Sequence, residues 1–492
     1  MSAQSRPVIT LKPRTPKEPG EEKEIFVDVI DVLLPCRRFV VFHKVAEVGA
    51  VSLVTEFMLR LVHTMAEIDE KWVAEYFGFN EREMSVALAE LDAKSYMRRA
   101  NGNISLTAAG EALFQNGGGL PQIYSVQARN LRQGFDLISF APQEWVRLDR
   151  FDSKLDELRI GDASRVANAS REIGRSFKRH FGEIAARVDR DVGKNVSIYS
   201  IDSVTAESRF LVPVRVYLKA SISKPSAAEP DLGAWRPPQE VEDRQRVVES
   251  VSEYVESLKG PAKPDVGDGY ELLKQIGGEF LSDFVRKDGV AVERYFSVAV
   301  NRVGEFRADR KTVPVVGSLF LDQNAVRLSE AIRYGLSNVS GSDLPAGLFW
   351  LVPEGCWGYT TRLPATVGAV EEQVMAGSEG VFKAIAVSKG GLRPHLREVF
   401  SNALICPSAA SISSCVEVLW IPKVVAGVFV HAPIRANAGI PVPLGFLSFD
   451  NEVLDRAERF LLGAVPNLAD HLARTGGAGE GDESQESGGP AS

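Results

Sequence analysis

The stretch from Val51 to Gly110 constrains the fold of this chain more than any other part of the sequence. Apolar residues at helical spacing predict a short helix over 68–77, which Gly78 ends. Asn80 can cap a second helix, and Glu83, three residues further on, can complete a capping box. The pattern therefore predicts two helices separated by a tight turn.

The second helix should run to about Lys94. Its apolar side chains have the spacing of a single buried face, which consists of Met84, Leu88 and Leu91. This helix carries four acidic residues against two basic ones, a net charge of −2. Phosphates repel an acidic helix, so we expect it to make no phosphate contacts.

A β-hairpin should follow the second helix. Residues 96–99 and 104–106 predict two short strands, and Asn101-Gly102 between them is typical of a type I′ turn. Thr107 can then cap a last helix that ends near Phe114. The stretch thus contains two helices, a two-stranded wing and a capped helix.

This order of elements resembles a winged helix-turn-helix domain. The matching residues are the segment 74–78 before the turn, Leu88 and Leu91 in the second helix, and the segment 106–110 after the wing. The resemblance covers only residues 51–110. It implies DNA binding, with the second helix of the turn motif placed in the major groove.

Basic residues outside the second helix are the candidate DNA contacts. Arg98 and Arg99 begin the wing, and Asn101 and Asn103 lie at its tip. The segment 165–194 has eight basic and four acidic residues, a local net charge of +4, and its apolar residues have helical spacing. We expect this basic helix to add contacts through four side chains: Arg171, Arg175, Lys178 and Arg179.

The length and composition are those of a multidomain protein. A chain of 492 residues with 45% hydrophobic residues should form two to four domains. Its net charge of −8 means that any nucleic-acid surface is local. No apolar run approaches the roughly 20 residues that cross a bilayer, and no signal segment begins the chain, so we expect a cytoplasmic protein with no membrane partner.

The predicted fold is multidomain α+β, with an N-terminal winged helix, a central α+β segment containing the long basic helix, and a C-terminal α/β or α+β domain. The expected boundaries are a disordered tail at 1–22, the winged-helix domain at 23–120, the basic helix and a small β-sheet at 121–222, a linker with a polar helix at 223–268, the mixed C-terminal domain at 269–475 and a second disordered tail at 476–492.

Several elements follow from the local patterns. In the central segment, 196–201 and 210–222 should form two strands. In the C-terminal domain the predicted strands are 295–300, 313–321, 348–352, 382–387, 416–430 and 442–449, and the predicted helices are 270–285, 325–336, 392–404 and 452–465.

The sequence offers no convincing catalytic, cofactor or metal site. The four cysteines form no CxxC pair, so they should be free thiols, and the six histidines lack metal-ligand spacing. His431 lies where one half of a phospholipase D-type site would have its histidine, but Pro433 replaces the lysine. The expected activity is therefore non-enzymatic.

Three hypotheses about function remain open. The first is a DNA-binding regulator, or a subunit of a DNA-handling or genome-defence complex. The second is a scaffold that docks a protein partner, or another copy of itself, through the winged helix. The third is a nuclease-like enzyme whose C-terminal site is degenerate or unrecognised.

Overall fold

The structure is a computed structural model that describes residues 23–468 apart from short segments. The segments outside the description are 49–52, 116–120, 122–123, 189–195, 234, 236–240, 283, 287–288, 302–305, 340–344, 346, 377–380, 407–411 and 466. Both predicted tails lie outside the described residues, as do Arg190 and Lys194 of the basic segment.

The chain is mixed α+β and divides into two compact units, neither of which is a continuous segment. The inserted unit comprises 36–144 and 162–210, and the main unit comprises the remainder. The sequence predicted continuous domains that meet at 120 and at 222. The units differ from those domains because two long strands, β1 (Glu24–Val48) and β7 (Val196–Ser221), contribute residues to both.

The inserted unit contains a compact α/β core followed by longer elements. Its elements after β1 are α1 (Leu53–Met65), β2 (Glu67–Asp69), α2 (Glu70–Phe77), α3 (Glu81–Ala93), β3 (Met97–Ala100), β4 (Asn103–Leu106), α4 (Ala108–Ala112), β5 (Tyr124–Asp136), β6 (Pro142–Gln143), α5 (Ala163–Ala167) and α6 (Ala169–Val188).

The helices and wing predicted for 51–110 are confirmed as elements. Strands β2, β4 and β3 form an antiparallel sheet in that order, and β3 and β4 turn at Asn101-Gly102. Both turn residues have positive φ, 52° and 82°, as a type I′ turn requires. The helices pack around a core that includes Met84, Leu88 and Leu91. One difference is that residues 67–69 form β2 and pair with β4, so the first helix of the turn starts at Glu70.

Longer elements complete the inserted unit. Residues 36–48 of β1 pair antiparallel with β5. The predicted face of α6 is buried, and His43 packs edge-on against Phe177 and Phe181 of this face. The two strands predicted at 196–201 and 210–222 are wrong in one respect, because β7 runs through both without a break.

The main unit continues from β7 with helices and strands in alternation. Its elements are β8 (Glu229–Asp231), α7 (Val241–Leu258), β9 (Gly260–Pro261), α8 (Val266–Gly277), α9 (Glu279–Ser282), β10 (Val285–Arg286), β11 (Gly289–Val290), α10 (Val292–Asn301), β12 (Thr312–Val316), α11 (Asp322–Leu336), β13 (Gly347–Leu351), α12 (Arg362–Met375), β14 (Lys383–Ser388), β15 (Asn402–Ile405), β16 (Val416–Ile421), β17 (Val425–Ala432), β18 (Ala438–Gly439), β19 (Val442–Ser448) and α13 (Asn451–Ala464), with 3₁₀ turns at Asp152–Lys154 and Leu396–Glu398.

A seven-stranded mixed sheet organises the main unit. The strand order is β12-β19-β17-β16-β13-β14-β15, in which β13, β14 and β15 pair in parallel and the other pairs are antiparallel. Helices α8 and α13 contact β17, and α11 contacts β17 and β19. The central strands are buried throughout, which explains their continuous apolar sequences.

Three predicted elements of the main unit are wrong. The single strand predicted at 416–430 is two antiparallel strands, β16 and β17. Residues 295–300 belong to helix α10, where the apolar residues at i, i+1 and i+4 (Tyr295, Phe296 and Ala299) are buried on one face. The predicted helix at 392–404 is a short 3₁₀ turn followed by β15, which extends the parallel sheet beside β14. Pro394 has no N–H to donate within a helix at this point.

Within the described ranges, none of the helices combines the length and hydrophobicity that a bilayer crossing requires.

Candidate nucleic-acid interface

The turn between α2 and α3 is fixed by local hydrogen bonds. Gly78 ends α2 in the left-handed conformation, with φ of 69°. The Asn80 side chain accepts a hydrogen bond from the Glu83 N–H at 2.9 Å, and the Glu83 carboxylate accepts one from the Asn80 N–H at 3.0 Å. This reciprocal pair is the predicted capping box, and it sets where α3 begins.

Two of the four acidic residues on α3 bond within the inserted unit. Glu83 belongs to the capping box. Glu90 accepts a hydrogen bond from the Thr55 hydroxyl on α1 at 2.6 Å, and its carboxylate lies 4.0 Å from the Lys94 ammonium. These bonds fix the two carboxylates in place but leave them charged, and Glu83 stays exposed.

The outward face of α3 carries no acidic side chain. Arg82, Ser85, Val86 and Ala89 are exposed at positions i, i+3, i+4 and i+7, which place them on one stripe of the helix. Glu81 and Asp92 flank this stripe. Charge counting missed the arrangement, although helical periodicity applied to the polar positions of α3 would have found it.

The wing holds its two predicted arginines in different environments. Arg99 donates two hydrogen bonds to Glu70 at the start of α2, at 3.2 and 2.5 Å, and this carboxylate raises the pKa of Arg99. Adjacent residues of a strand point to opposite faces, so Arg98 faces away from this pair. Arg98 is exposed, and no ion pair to it is found among the described residues.

The two predicted asparagines also differ. Asn101 is exposed at the tip of the turn. Asn103 is half-buried and donates a hydrogen bond from its amide to Glu67 on β2 at 3.1 Å. Of the four wing residues, Arg98 and Asn101 are thus the two whose side chains are not bonded to neighbouring carboxylates.

The basic residues of α6 share one solvent-exposed side. All four predicted contact residues (Arg171, Arg175, Lys178 and Arg179) are exposed, opposite the buried face of Ile173 and Phe177. Arg175 forms an ion pair with Glu172 at 3.1 Å, which removes part of its charge from the surface. The predicted basic face therefore exists, on a different element from the wing.

Large apolar side chains are exposed on the same unit. Trp72 and Tyr76 of α2 are 44% and 62% exposed, and their rings stack at 5.2 Å with an interplanar angle of 17°. On α1, Leu53 and Phe57 are exposed as well. These side chains expose apolar surface on the inserted unit.

His431, the one histidine that resembled part of a nuclease site, has a carboxylate partner. Its Nε2 lies 2.5 Å from Glu417 Oε2, and Glu417 Oε1 accepts a hydrogen bond from Trp350 Nε1 at 2.9 Å. Pairing of β16 with β17 places these residues on neighbouring strands, which sequence spacing did not reveal. No group of three or more His, Cys, Asp or Glu side chains suited to a metal occurs among the described residues.

Comparisons of the chain with protein-family models, with curated proteins and with solved structures gave no match.

Proposed function

We propose that the inserted unit binds duplex DNA and that the protein acts without catalysis, as a regulator or as a subunit of a DNA-handling or genome-defence complex. The observation that carries the proposal is the outward stripe of α3, where Arg82, Ser85, Val86 and Ala89 are exposed and free of acidic neighbours on the stripe itself. The helix follows a tight turn, as the reading helix of a winged helix-turn-helix domain does.

The chemistry of the stripe fits a major groove. Arg82 lies in the first turn of α3, the part of a reading helix that usually contacts base edges. An arginine there can donate two hydrogen bonds to guanine. Ser85 and Ala89 are small enough for the backbone to approach the bases, and Val86 can contact a thymine methyl group.

Phosphate contacts come from other elements in this proposal. Glu81 and Asp92 flank the stripe and repel phosphates, so α3 contributes little to overall affinity. Arg98 on the wing and the basic side of α6 supply positive charge instead. Arg99 contributes less than Arg98, because Glu70 already neutralises it.

The test is a titration of duplex DNA with the full chain at several salt concentrations. Arg98→Ala and Lys178→Ala should each weaken binding to all sequences alike and lower the slope of log affinity against log salt by about 1. Arg82→Ala should instead relax the preference among sequences, with a cost of about 1–3 kcal/mol on the preferred site.

Charge-matched controls lie in the main unit. Arg459→Ala and Lys383→Ala remove one exposed positive charge each, and we expect neither to change the salt slope. Absence of salt-dependent DNA binding at low ionic strength would reject the proposal. Tight binding that Arg98→Ala and Arg82→Ala leave untouched would reject the choice of residues.

The exposed aromatic pair favours a second candidate, a protein-docking role for the same unit. In that case Trp72→Ala combined with Tyr76→Ala should abolish co-purification of a partner from the native host while the protein stays folded. Charge reversal of Glu83 and Glu90 is a poorer test, because both side chains hold α3 in place. A partner that survives the double substitution would reject this surface.

A further inference from the structure

A pocket of about 240 Å³ opens into the main unit, apart from the inserted unit. Its walls include Asp28 and Ile30 from β1, the segment 353–358 after β13, and His431 at the end of β17. Asp28 and Ile30 are two residues apart on one strand, so they point to the same side. Strand geometry therefore places a carboxylate in a mostly apolar wall.

Asp28 forms no direct ion pair among the described residues. Its Oδ1 accepts a hydrogen bond from the Val29 N–H at 2.8 Å, and no basic side chain pairs with it among the described residues. Burial raises the pKa of the Asp28 carboxyl, while the Ser318 hydroxyl, the Val29 N–H and the nearby His431 lower it less. A carboxylate withdrawn from water in this way gains most from an added positive charge.

The other charged groups of the pocket do not supply that charge. Lys263 lies at the wall, but its ammonium is 3.6 Å from the Glu354 carboxylate and donates a hydrogen bond to the Glu354 carbonyl at 3.2 Å. The His431 ring is hydrogen-bonded to Glu417, which is itself buried. Neither pair includes Asp28, so its carboxyl group remains without a direct ion-pair partner in the pocket.

Aromatic rings form the remaining wall. Trp357 and Phe320 both line the pocket, and their rings meet edge-on at 5.5 Å. The Trp357 indole N–H is buried and has no hydrogen-bond partner among the described residues. Aromatic residues and a carboxylate that line one pocket can together attract an organic cation.

We propose that this pocket binds a small organic cation, an amine or an amidine, through an ion pair with Asp28 and contact with the ring of Trp357. The site follows the general form of ligand pockets, which are concave and largely apolar with few polar groups that fix orientation. It is independent of DNA binding and shares no residue with the proposed nucleic-acid interface.

Isothermal titration of the full chain with benzamidine, benzamide and benzoate tests the proposal, because these three probes have similar shape and differ in charge. Benzamidine should bind more tightly than the other two by about tenfold or more. Asp28→Asn should remove that preference. Asp268→Asn removes an exposed acid of α8 in the same unit and should leave it unchanged.

A second measurement needs no substitution. Cys356 lines the pocket and is half-buried, whereas Cys36, Cys406 and Cys415 are buried. Bound benzamidine should slow alkylation of Cys356 by iodoacetamide, and benzoate at the same concentration should not. The proposal is overturned if benzamidine gives no heat of binding at about 1 mM, if all three probes bind alike, or if the bound amidine leaves Cys356 unprotected.

Discussion

Arg99 on the wing and Glu70 at the start of α2 are joined by two hydrogen bonds, at 3.2 and 2.5 Å. The pair fastens the hairpin to the helix that precedes the turn. Because both side chains are partly exposed, solvent screens the interaction. Arg99→Ala should therefore lower the free energy of unfolding by at most about 1 kcal/mol.

Arg98→Ala is the matched control for that prediction. Arg98 is exposed on the opposite side of β3, and we expect urea denaturation to show no change for this variant. The two substitutions should thus have opposite profiles: Arg99→Ala affects mainly stability, and Arg98→Ala affects mainly DNA affinity. A larger DNA defect for Arg99→Ala would contradict this assignment.

Leu88 should be a major contributor to the stability of the inserted unit. Its side chain is 1% exposed within the core between the helices. Leu88→Ala should cost about 2–5 kcal/mol, because the substitution removes contacts and leaves a cavity. Val86 lies two residues away on the same helix and is 67% exposed, so Val86→Ala should have little effect in the same denaturation experiment.

Gly110 lies where a side chain cannot fit. A Cβ at this position would stand 2.2 Å from the Tyr96 carbonyl oxygen, a backbone atom that cannot rotate away. Gly110→Ala should destabilise the wing and its capped helix by about 1–3 kcal/mol. Gly182, in an open position on α6, provides the contrast: Gly182→Ala should stabilise the protein by up to about 1 kcal/mol. Equal melting temperatures for the two variants would refute the close approach at Gly110.

Asp31 connects distant parts of the main unit. The carboxylate is 2% exposed and accepts hydrogen bonds from Arg215, from the Thr360 hydroxyl, and from the N–H and hydroxyl of Thr361. Asp31→Asn should lower the free energy of unfolding by about 2–4 kcal/mol. This is near the lower end of the range for a broken buried ion pair, because Arg215 is partly exposed. Asp268→Asn, at an exposed site, should cost nothing measurable by calorimetry.

His395 should make stability fall at mildly acidic pH. Its ring is buried, Nε2 lies 3.2 Å from the Trp357 carbonyl oxygen, and burial lowers its pKa below the ordinary value of 6.5. Below pH 6.5 the unfolded chain takes up a proton that the folded ring resists, so the free energy of unfolding decreases as pH falls, by up to about 1.4 kcal/mol per pH unit.

His395→Gln supplies the check on that prediction, since the glutamine amide can still donate to the Trp357 carbonyl. Between pH 7 and 5 this variant should lose less stability than the wild type. A variant with the same pH dependence as the wild type would show that other groups cause the acid sensitivity.

Local signals explain why residues 51–110 were predictable from sequence. These signals act over a few residues: the capping box of Asn80 and Glu83, the Asn101-Gly102 turn, and the apolar residues at helical spacing. Each has the expected geometry in the structure. The failures at 295–300 and 392–404 have a different cause. The short apolar run at 295–300 fits a helix or a strand equally well. At 392–404, Pro394 opposes a helix and the last residues pair with β14 as a strand.

The contacts that define the candidate sites were beyond sequence reasoning. The ion pair of Arg99 joins residues 29 apart, and the pocket in the main unit brings Asp28 near His431 across most of the chain. Net charge likewise did not reveal that Glu83 and Glu90 are fixed by hydrogen bonds to neighbouring groups. A count of charges along a helix says nothing about which of them face outward.

The division of β1 and β7 between two units affects the order in which the chain can fold during synthesis. The inserted unit is complete once residue 210 has left the ribosome. Residues 23–35 of the main unit can by then pair only with 156–158, because the rest of that unit begins at residue 211. Asp31 reaches its bond with Thr361 only after 330 further residues. Such late closure slows folding and leaves residues 23–35 largely uncovered for much of translation. A nascent chain arrested just after residue 220 has left the ribosome should therefore already protect the inserted unit from protease, while residues 23–35 are still cleaved.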